Sequence, residues 1–493
     1  MAVKQPNMKA ADSPIVMKAG DTAARETAAQ KAVEATINET PEVASALAAR
    51  GIPATYDSNN RAYVELAGTT DEIHAIGEYL TSYQPARNAF LNALVNRIGL
   101  TIVTSKLYRN PWAVFKRGYL EFGDTIEEIF VNLADVHGFY PEGAEDTFAK
   151  RELPDVRTAF HRMNFQKFYK TTVSSQQLRQ AFLSWTGVSD LIARIIESLY
   201  TSANTDEYYV MRYFLAKCLL NGYIGSVEIP AIGKDNAVDI ATQFQYMSDL
   251  FQYQSTKYNM AGVTTHTDFE DQYFIVTAKF KATMNMNVLA TAFNLEYREF
   301  QARMITVDTF TDFDWARMDA LFTDPATGKL DPNYHRFTQE EITLLESVPA
   351  VLVSRDWWMV LDNYVEAAQW FNGEGLYWNH WHHVWKTISC SPFGQAAAFT
   401  PTAPTITSVT VTPTTATLSK GADLQLSAAV AGTGIVNQGV QWEVTGGAAS
   451  GTTVTNGGYL HVAANETAKT LTVTATSIQD GTKKDESTIT VTE

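Results

Sequence analysis

The chain has little cysteine, no long apolar run and a deficit of positive charge. Its two cysteines, Cys218 and Cys390, cannot build a disulfide framework and suit a reducing compartment. No apolar segment approaches the ~18 residues of a membrane span. The N-terminal region also lacks the apolar core of a secretory signal. We therefore expect neither a membrane span nor secretion.

The net charge and the composition further limit which kinds of protein this chain can be. Across 493 residues, 54 acidic side chains outnumber 38 basic ones, for a formal net charge of −16. A general nucleic-acid binder is disfavoured, because neutralising phosphates needs a basic surface. The 45% hydrophobic and 19% charged content indicates globular domains, and the length predicts two to four of them. Aromatic residues at 12% favour large buried contacts or interfaces.

Motifs for catalysis or for metal binding are also missing. His380 and His382 would face one side of a strand and His383 the other, so they make a poor zinc site. The loop from Asp324 to Asp331 lacks the ligand spacing of a calcium site and the glycines of a phosphate loop. We therefore predict no catalytic residue, no metal site and no cofactor.

The longest helical pattern spans residues 174–222 and predicts a spine helix. Asp190 is a candidate N-cap, Asn204 a weak point and Thr205 a second cap. Asn221 and Gly222 form a helix stop, because glycine adopts the left-handed conformation at little cost. The simplest interpretation of this pattern is an ordinary core helix.

The N-terminal region predicts an arm. Residues 1–60 contain few large apolar side chains, and Pro6, Pro14, Pro41 and Pro53 interrupt any long helix, so we expect ordered structure to begin near Ala62.

An extended basic hairpin is predicted after the arm. Residues 112–123 read as strands with glycines at the bends, and residues 157–173 resume a strand-like pattern. The segment from Lys150 to Thr172 contains six basic residues and only two acidic ones. This segment is either a solvated strand face or a surface complementary to another copy of the acidic chain. The second interpretation makes seven residues candidates for contact between subunits: Lys116, Arg117, Arg151, Arg157, Arg162, Lys167 and Lys170.

Beyond the spine the pattern is α+β, with strands predicted at 274–280, 350–353 and 383–389. The composition changes abruptly at a linker, residues 400–405. After it, strand alternation is nearly continuous, with turn residues between the runs. Six or seven short strands around one tryptophan, Trp442, favour an Ig-like sandwich that would unfold as an independent unit.

Several strings resemble the major capsid protein of phi29-like short-tailed phages. They stand at residues 96–100, 125–129, 182–185, 206–208, 356–363 and 375–385, in the family's order and approximate spacing. The C-terminal strands resemble a bacterial Ig-like domain of group 2, through Val409, Pro413, Gly421 and Trp442. The resemblance runs from about residue 86 to the end.

The resemblance implies a Hong Kong 97-like capsid fold of α+β class. Residues 1–85 would be an N-terminal arm and 86–400 the capsid domain, followed by a linker at 401–405 and the Ig-like domain at 406–493. Within the capsid domain, 106–172 would be the extended loop, 174–222 the spine helix, 223–380 the axial domain and 381–400 the return to the peripheral domain.

Implied partners are the chain itself in pentamers and hexamers, a scaffolding protein and a portal, with a head fibre as a further candidate. The shell would assemble in the host bacterial cytoplasm, become part of the virion and enclose double-stranded DNA without sequence-specific binding. A surface adhesin or glycan-binding protein is the alternative that the Ig-like module alone would suggest. An enzyme with an accessory domain is the least favoured class.

Overall fold

A computed structural model describes residues 30–90, 109–134, 155–174, 197–284 and 303–493, apart from positions 32, 84, 87, 88, 121–124, 234, 448, 450 and 456. The chain divides into two compact units. The first comprises Met1–Asn110, Gln166–Glu207 and Tyr364–Trp385, and the second Pro111–Phe165, Tyr208–Asn363 and Lys386–Glu493. Among the helices of the described residues, none has the length and apolar character to cross a membrane.

The elements are numbered along the chain. The helices are α1 Pro41–Ala48, α2 Thr70–Ser82, α3 Ser202–Leu220, α4 Ala237–Phe251, α5 Ala278–Thr283, α6 Trp315–Phe322 and α7 Gln339–Glu346. The strands up to residue 400 are β1 Ala54–Tyr56, β2 Ala62–Val64, β3 Lys116–Tyr119, β4 Thr125–Val131, β5 Val156–Arg162, β6 Phe165–Ser174, β7 Gly225–Glu228, β8 Gln272–Thr277, β9 Met304–Val307, β10 Ala350–Ser354, β11 Trp358–Asn372, β12 Tyr377–Cys390 and β13 Ala396–Thr400. The C-terminal strands are β14 Thr405–Thr412, β15 Thr415–Ser419, β16 Asp423–Gln425, β17 Ser427–Thr433, β18 Val440–Thr445, β19 Thr453–Val454, β20 Tyr459–His461, β21 Thr470–Ser477 and β22 Lys484–Thr492.

Packed structure begins earlier than the expected start near Ala62. Val33 and Ile37 are fully buried, and they share a core cluster with Leu47 and Ile76. A capping box fixes the start of α2, in which Thr69 and Glu72 each bond the other's backbone N–H. The sequence pattern missed this core because it is built largely from small and mid-sized side chains.

The predicted spine is described from residue 197 onward, as a π-helical segment at Glu197–Thr201 followed by α3, and its stop is confirmed. Gly222 has a φ of +69°, the Gly222 N–H bonds Leu219 O at 3.2 Å, and the Tyr223 N–H bonds Cys218 O at 2.9 Å. This pair of bonds is the Schellman motif. The predicted break at Asn204 and cap at Thr205 are wrong, because both residues lie inside α3. Asp190 lies outside the described residues.

The second unit is built on a five-stranded sheet in the order β7–β13–β10–β8–β9. Every residue of β10 and β13 is buried, as expected for central strands covered on both faces. The strand predicted at 274–280 ends earlier, at Thr277, whose hydroxyl then caps α5 by accepting from the Phe280 N–H.

The predicted hairpin at 112–123 is wrong in its pairing. Strand β3 runs parallel to β11, with Lys116 opposite Val360, in a sheet of order β3–β11–β12–β6. Aromatic packing selects this long-range pairing: Trp358 lies 5.4 Å from Trp112 and 5.3 Å from Phe115 between ring centroids. Such contacts stabilise a core beyond simple area burial.

Residues 405–493 form an all-β region of three sheets, β14–β17, β15–β22–β21–β18 and β16–β20–β19. They share one core cluster, which contains Trp442 at 8% exposure. A turn at Gly458, with φ +79°, passes so close to the Trp442 ring that a Cβ there would lie 3.1 Å from two ring atoms. Glycine is therefore required at that turn.

Candidate functional site

A two-stranded hairpin made of β4 and β5 is the main candidate for a functional surface. The strands are antiparallel, with Thr125 opposite Arg162 and Val131 opposite Val156. Because side chains alternate along a strand, the ladder has two faces with different neighbours. A hairpin of this size has little core of its own, so each face needs a partner or exposes its side chains to solvent.

The inner face is fixed to the second unit by His161 and Glu128. His161 Nε2 lies 3.1 Å from Glu128 Oε2, and His161 Nδ1 lies 2.7 Å from Ser389 Oγ. Ser391 Oγ donates to Glu128 Oε1 at 3.0 Å. Burial works to raise the pKa of Glu128, but the hydrogen bonds from His161 and Ser391 outweigh it and hold that pKa below its ordinary value. The carboxylate therefore stays ionised and tethers β4 and β5 to β12 and the segment after it.

A second anchor lies at the other end of the ladder. Arg157 donates to both carboxylate oxygens of Asp155, at 3.2 and 2.9 Å, and a further N–H reaches the Ala261 carbonyl. These bonds keep the pKa of Asp155 below its ordinary value. The Phe130 ring stacks on Phe393 with centroids 5.3 Å apart. The inner face is thus occupied by partners within the chain.

The outward face of the hairpin is exposed along its full described length. It carries Thr125, Glu127, Ile129, Val131, Val156, Thr158, Phe160 and Arg162. Four of these are large apolar side chains: Ile129, Val131, Val156 and Phe160, at 60, 58, 48 and 62% exposure. Contiguous apolar surface of this kind marks interaction sites. We call these four side chains the hairpin stripe.

The sequence-predicted basic residues fall into separate groups. Lys116 pairs with Asp362 at 2.6 Å, and Arg117 donates to the Trp358 carbonyl at 2.9 Å. With Arg157, both are therefore bonded within the chain. Arg162 is exposed on the outward face, at the end opposite Val131 and Val156.

In the first unit, Lys170 lies 5.7 Å from the Trp381 ring centroid, and Lys167 is half-buried on β6. Arg151 lies outside the described residues. Of the other six, four lie in the second unit and two in the first, and within the second unit only Arg162 is exposed on the outward face.

The hairpin stripe was not predicted, because the basic residues of this segment are its more conspicuous sequence feature. The available signal was the alternation of polar and apolar residues at 127–131 and 156–160. Lys386 was also missed: it is buried and pairs with Asp362 at 2.9 Å. Burial, together with nearby Lys116, lowers the pKa of Lys386 well below its ordinary value.

Two of the three histidines of β12, His380 and His382, are buried, and His383 is half-buried. His380 is 1% exposed, and within the described part of the chain neither of its ring nitrogens has a hydrogen-bond partner. Burial lowers the pKa of His380 to about 4, and it does the same to His382. No group of three or more His, Cys, Asp or Glu side chains in the described ranges is arranged to hold a metal.

Comparison with known proteins places these features in a family. Residues 53–400 match the model of the Phi29-like phage major capsid protein. The chain is 34% identical over 424 residues to the major capsid protein of Bacillus phage B103, covering 85% of this chain and 86% of that protein. It is 32% identical over 421 residues to the major capsid protein of Bacillus phage PZA, covering 84% and 86%.

Among solved structures, the capsid of Staphylococcus phage Andhra aligns with 61% of this chain and 86% of its own, at a TM-score of 0.48 and 15% identity. The extent of the family match and the identity to its relatives decide the assignment. The chain belongs to the Phi29-like phage major capsid protein family.

Proposed function

We propose that the chain is the repeating subunit of an icosahedral head shell, and that the hairpin stripe is the surface by which one copy docks on the next. The observation that carries the proposal is a hairpin with one face fixed to its own body and an opposite face that exposes Ile129, Val131, Val156 and Phe160. The occupant is a second copy, since a capsid shell is built from many copies of its major capsid protein.

Charge supports the same occupant. The chain carries a net charge of −16, while the outward face ends at Arg162. An exposed arginine at the rim of an apolar contact favours an acidic partner surface and sets register and association rate more than affinity. The proposed contact therefore has an apolar centre, with the charges of Arg162 and Glu127 at one end, in place of a broadly basic surface.

The finer architecture is part of the proposal. The capsid domain at 86–400 has a Hong Kong 97-like arrangement, in which 106–172 is the extended loop, 174–222 the spine helix and 223–380 the axial domain. Residues 406–493 form a group 2 bacterial Ig-like domain. The nine strands from β14 to β22 with a buried Trp442 support this last assignment. Scaffolding protein, portal and head fibre are the proposed further partners, and the shell encloses double-stranded DNA.

The test is a double substitution on the stripe, Ile129→Asp with Phe160→Asp. Both side chains are exposed in the subunit, so the fold should survive, and circular dichroism should be unchanged. Assembly with the scaffolding protein of the same phage should fail or give malformed particles, as seen by sedimentation and negative-stain microscopy. Two carboxylates would have to be desolvated at every copy of the contact.

The matched control keeps the stripe apolar. Ile129→Val with Phe160→Leu changes shape but not polarity, and it should still assemble. Normal particles from the aspartate variant, with a folded subunit, would show that the stripe is a solvated face and would overturn the proposed contact.

A further inference from the structure

One short loop of the C-terminal β region packs closely against the capsid domain. Residues 435–438, between β17 and β18, are called here the clip loop. They lie against residues 222–226, which follow α3. Ile435 is 1% exposed and belongs to the same core cluster as Leu219 and Ile224. An isoleucine of the C-terminal region is thus part of the capsid domain's hydrophobic core.

Hydrogen bonds and close approach fix the loop in place. Ser226 Oγ donates to the Ile435 carbonyl at 2.7 Å, and the Gln438 N–H donates to the Gly222 carbonyl at 3.1 Å. A Cβ at Gly222 would lie 2.2 Å from the Val436 carbonyl oxygen. A Cβ at Gly225 would lie 2.9 Å from Asn437 Nδ2. Side chains at these two positions would keep the loop away.

The clip loop is also held from its own side. The Gln438 side chain bonds both the N–H and the carbonyl of Val430, at 2.9 and 2.8 Å. The Asn437 N–H donates to Gln479 Oε1 at 2.8 Å. Hydrogen bonds to β17 and to the turn after β21 therefore fix the conformation of the clip loop. Packing against residues 222–226 then has little additional entropy cost for ordering the loop.

We propose that the clip loop is a permanent latch that holds residues 405–493 in one orientation on the capsid domain of the same copy. The C-terminal region is then a fixed projection of the subunit, in place of a module that swings on the linker. Its surface partner is residues 222–226, the segment that leaves the spine helix. The family match covers residues 53–400, so it includes residues 222–226 and ends before the clip loop.

A designed disulfide tests the latch in the full chain. A Cβ built at Gly225 lies 3.7 Å from the Asn437 Cβ, within the range that disulfides require. Gly225→Cys with Asn437→Cys should form a crosslink within one chain under mild oxidation, in nearly every copy, both before and after assembly. Non-reducing electrophoresis and peptide mass spectrometry identify it. The two single variants and the oxidised wild type control for Cys218 and Cys390.

A second substitution gives a rate to measure. In the double-cysteine chain, Ile435→Asp should slow crosslinking by about tenfold or more, because a carboxylate would have to enter the core. Thr433→Asp adds the same charge at an exposed position nearby and should leave the rate unchanged. The latch is overturned if no crosslink forms, if crosslinks form only between copies, or if Ile435→Asp reacts as fast as Thr433→Asp.

Discussion

The two buried histidines of β12 predict that this capsid subunit loses stability in mild acid. His380 has a folded pKa of about 4 against an ordinary value of 6.5, because burial disfavours the charged ring. The folded state then binds the proton less well than the unfolded state. The stability contributed by keeping this ring neutral is fully present above pH 6.5. It falls as the pH drops from 6.5 to 4 and is lost below that.

The magnitude follows from the same two values. The difference between 6.5 and about 4, at about 1.4 kcal/mol per pH unit, corresponds to roughly 3 kcal/mol at full protonation. At pH 5 the linkage relation gives about 2 kcal/mol. His380→Phe removes the titrating ring and keeps its approximate shape. Because neither ring nitrogen of His380 has a hydrogen-bond partner among the described residues, the change should cost little at pH 7.

The assay is urea unfolding of the unassembled subunit at pH 7 and pH 5, followed by circular dichroism. The wild type should lose more free energy between these pH values than His380→Phe does, by about 2 kcal/mol. His382, also with a pKa of about 4, leaves a residual slope in the variant. The control is Trp370→Phe, at a residue of β11 that is 70% exposed and does not titrate, which should keep the wild-type difference. An unchanged pH dependence in His380→Phe would refute the reasoning.

Further predictions separate fold from assembly. Arg162→Glu should leave circular dichroism unchanged and slow or misdirect assembly in light scattering, and higher salt should slow the wild type in the same direction. Normal assembly kinetics would exclude a role for that edge. Arg157→Glu should instead destabilise the subunit by roughly 1 kcal/mol, because it removes a partly exposed pair with Asp155 and places two carboxylates side by side. Trp442→Ala should cost roughly 3–5 kcal/mol and lower the calorimetric transition of the C-terminal region. An unshifted transition would show that Trp442 is not a core anchor.

The sequence predicted those elements whose local pattern of apolar, polar and turn residues matches their burial in the structure. The helix stop at Asn221 and Gly222, the strands at 350–353 and 383–389, and the change to continuous strands after residue 400 all follow from local signals. The hairpin was predictable in kind, but its strands are 125–131 and 156–162, and β3 belongs to another sheet. Local alternation identifies a strand but carries no information about a partner more than two hundred residues away.

At the candidate site, the sequence shows which residue types are present, but only the structure shows what each of them contacts. The basic residues were visible in the sequence, yet only the structure pairs Arg157 with Asp155 and leaves Arg162 exposed. The apolar positions 129 and 160 were equally visible. Whether such a side chain faces the core or solvent depends on which face of the ladder is covered, and that is decided by the packing of the whole unit.

The sequence by itself determined the family, the composition break near residue 400 and the type of most described elements, because these depend on residue identity, order and short-range periodicity. The tertiary structure alone decided that His380 is buried with no hydrogen-bond partner among the described residues, that Ile435 packs in one core cluster with Leu219 and Ile224, and that the hairpin stripe is exposed. Each of these results depends on contacts between segments far apart in the chain. An isoleucine in a loop and a histidine in a strand have the same local sequence signal whether they end in the core or in water.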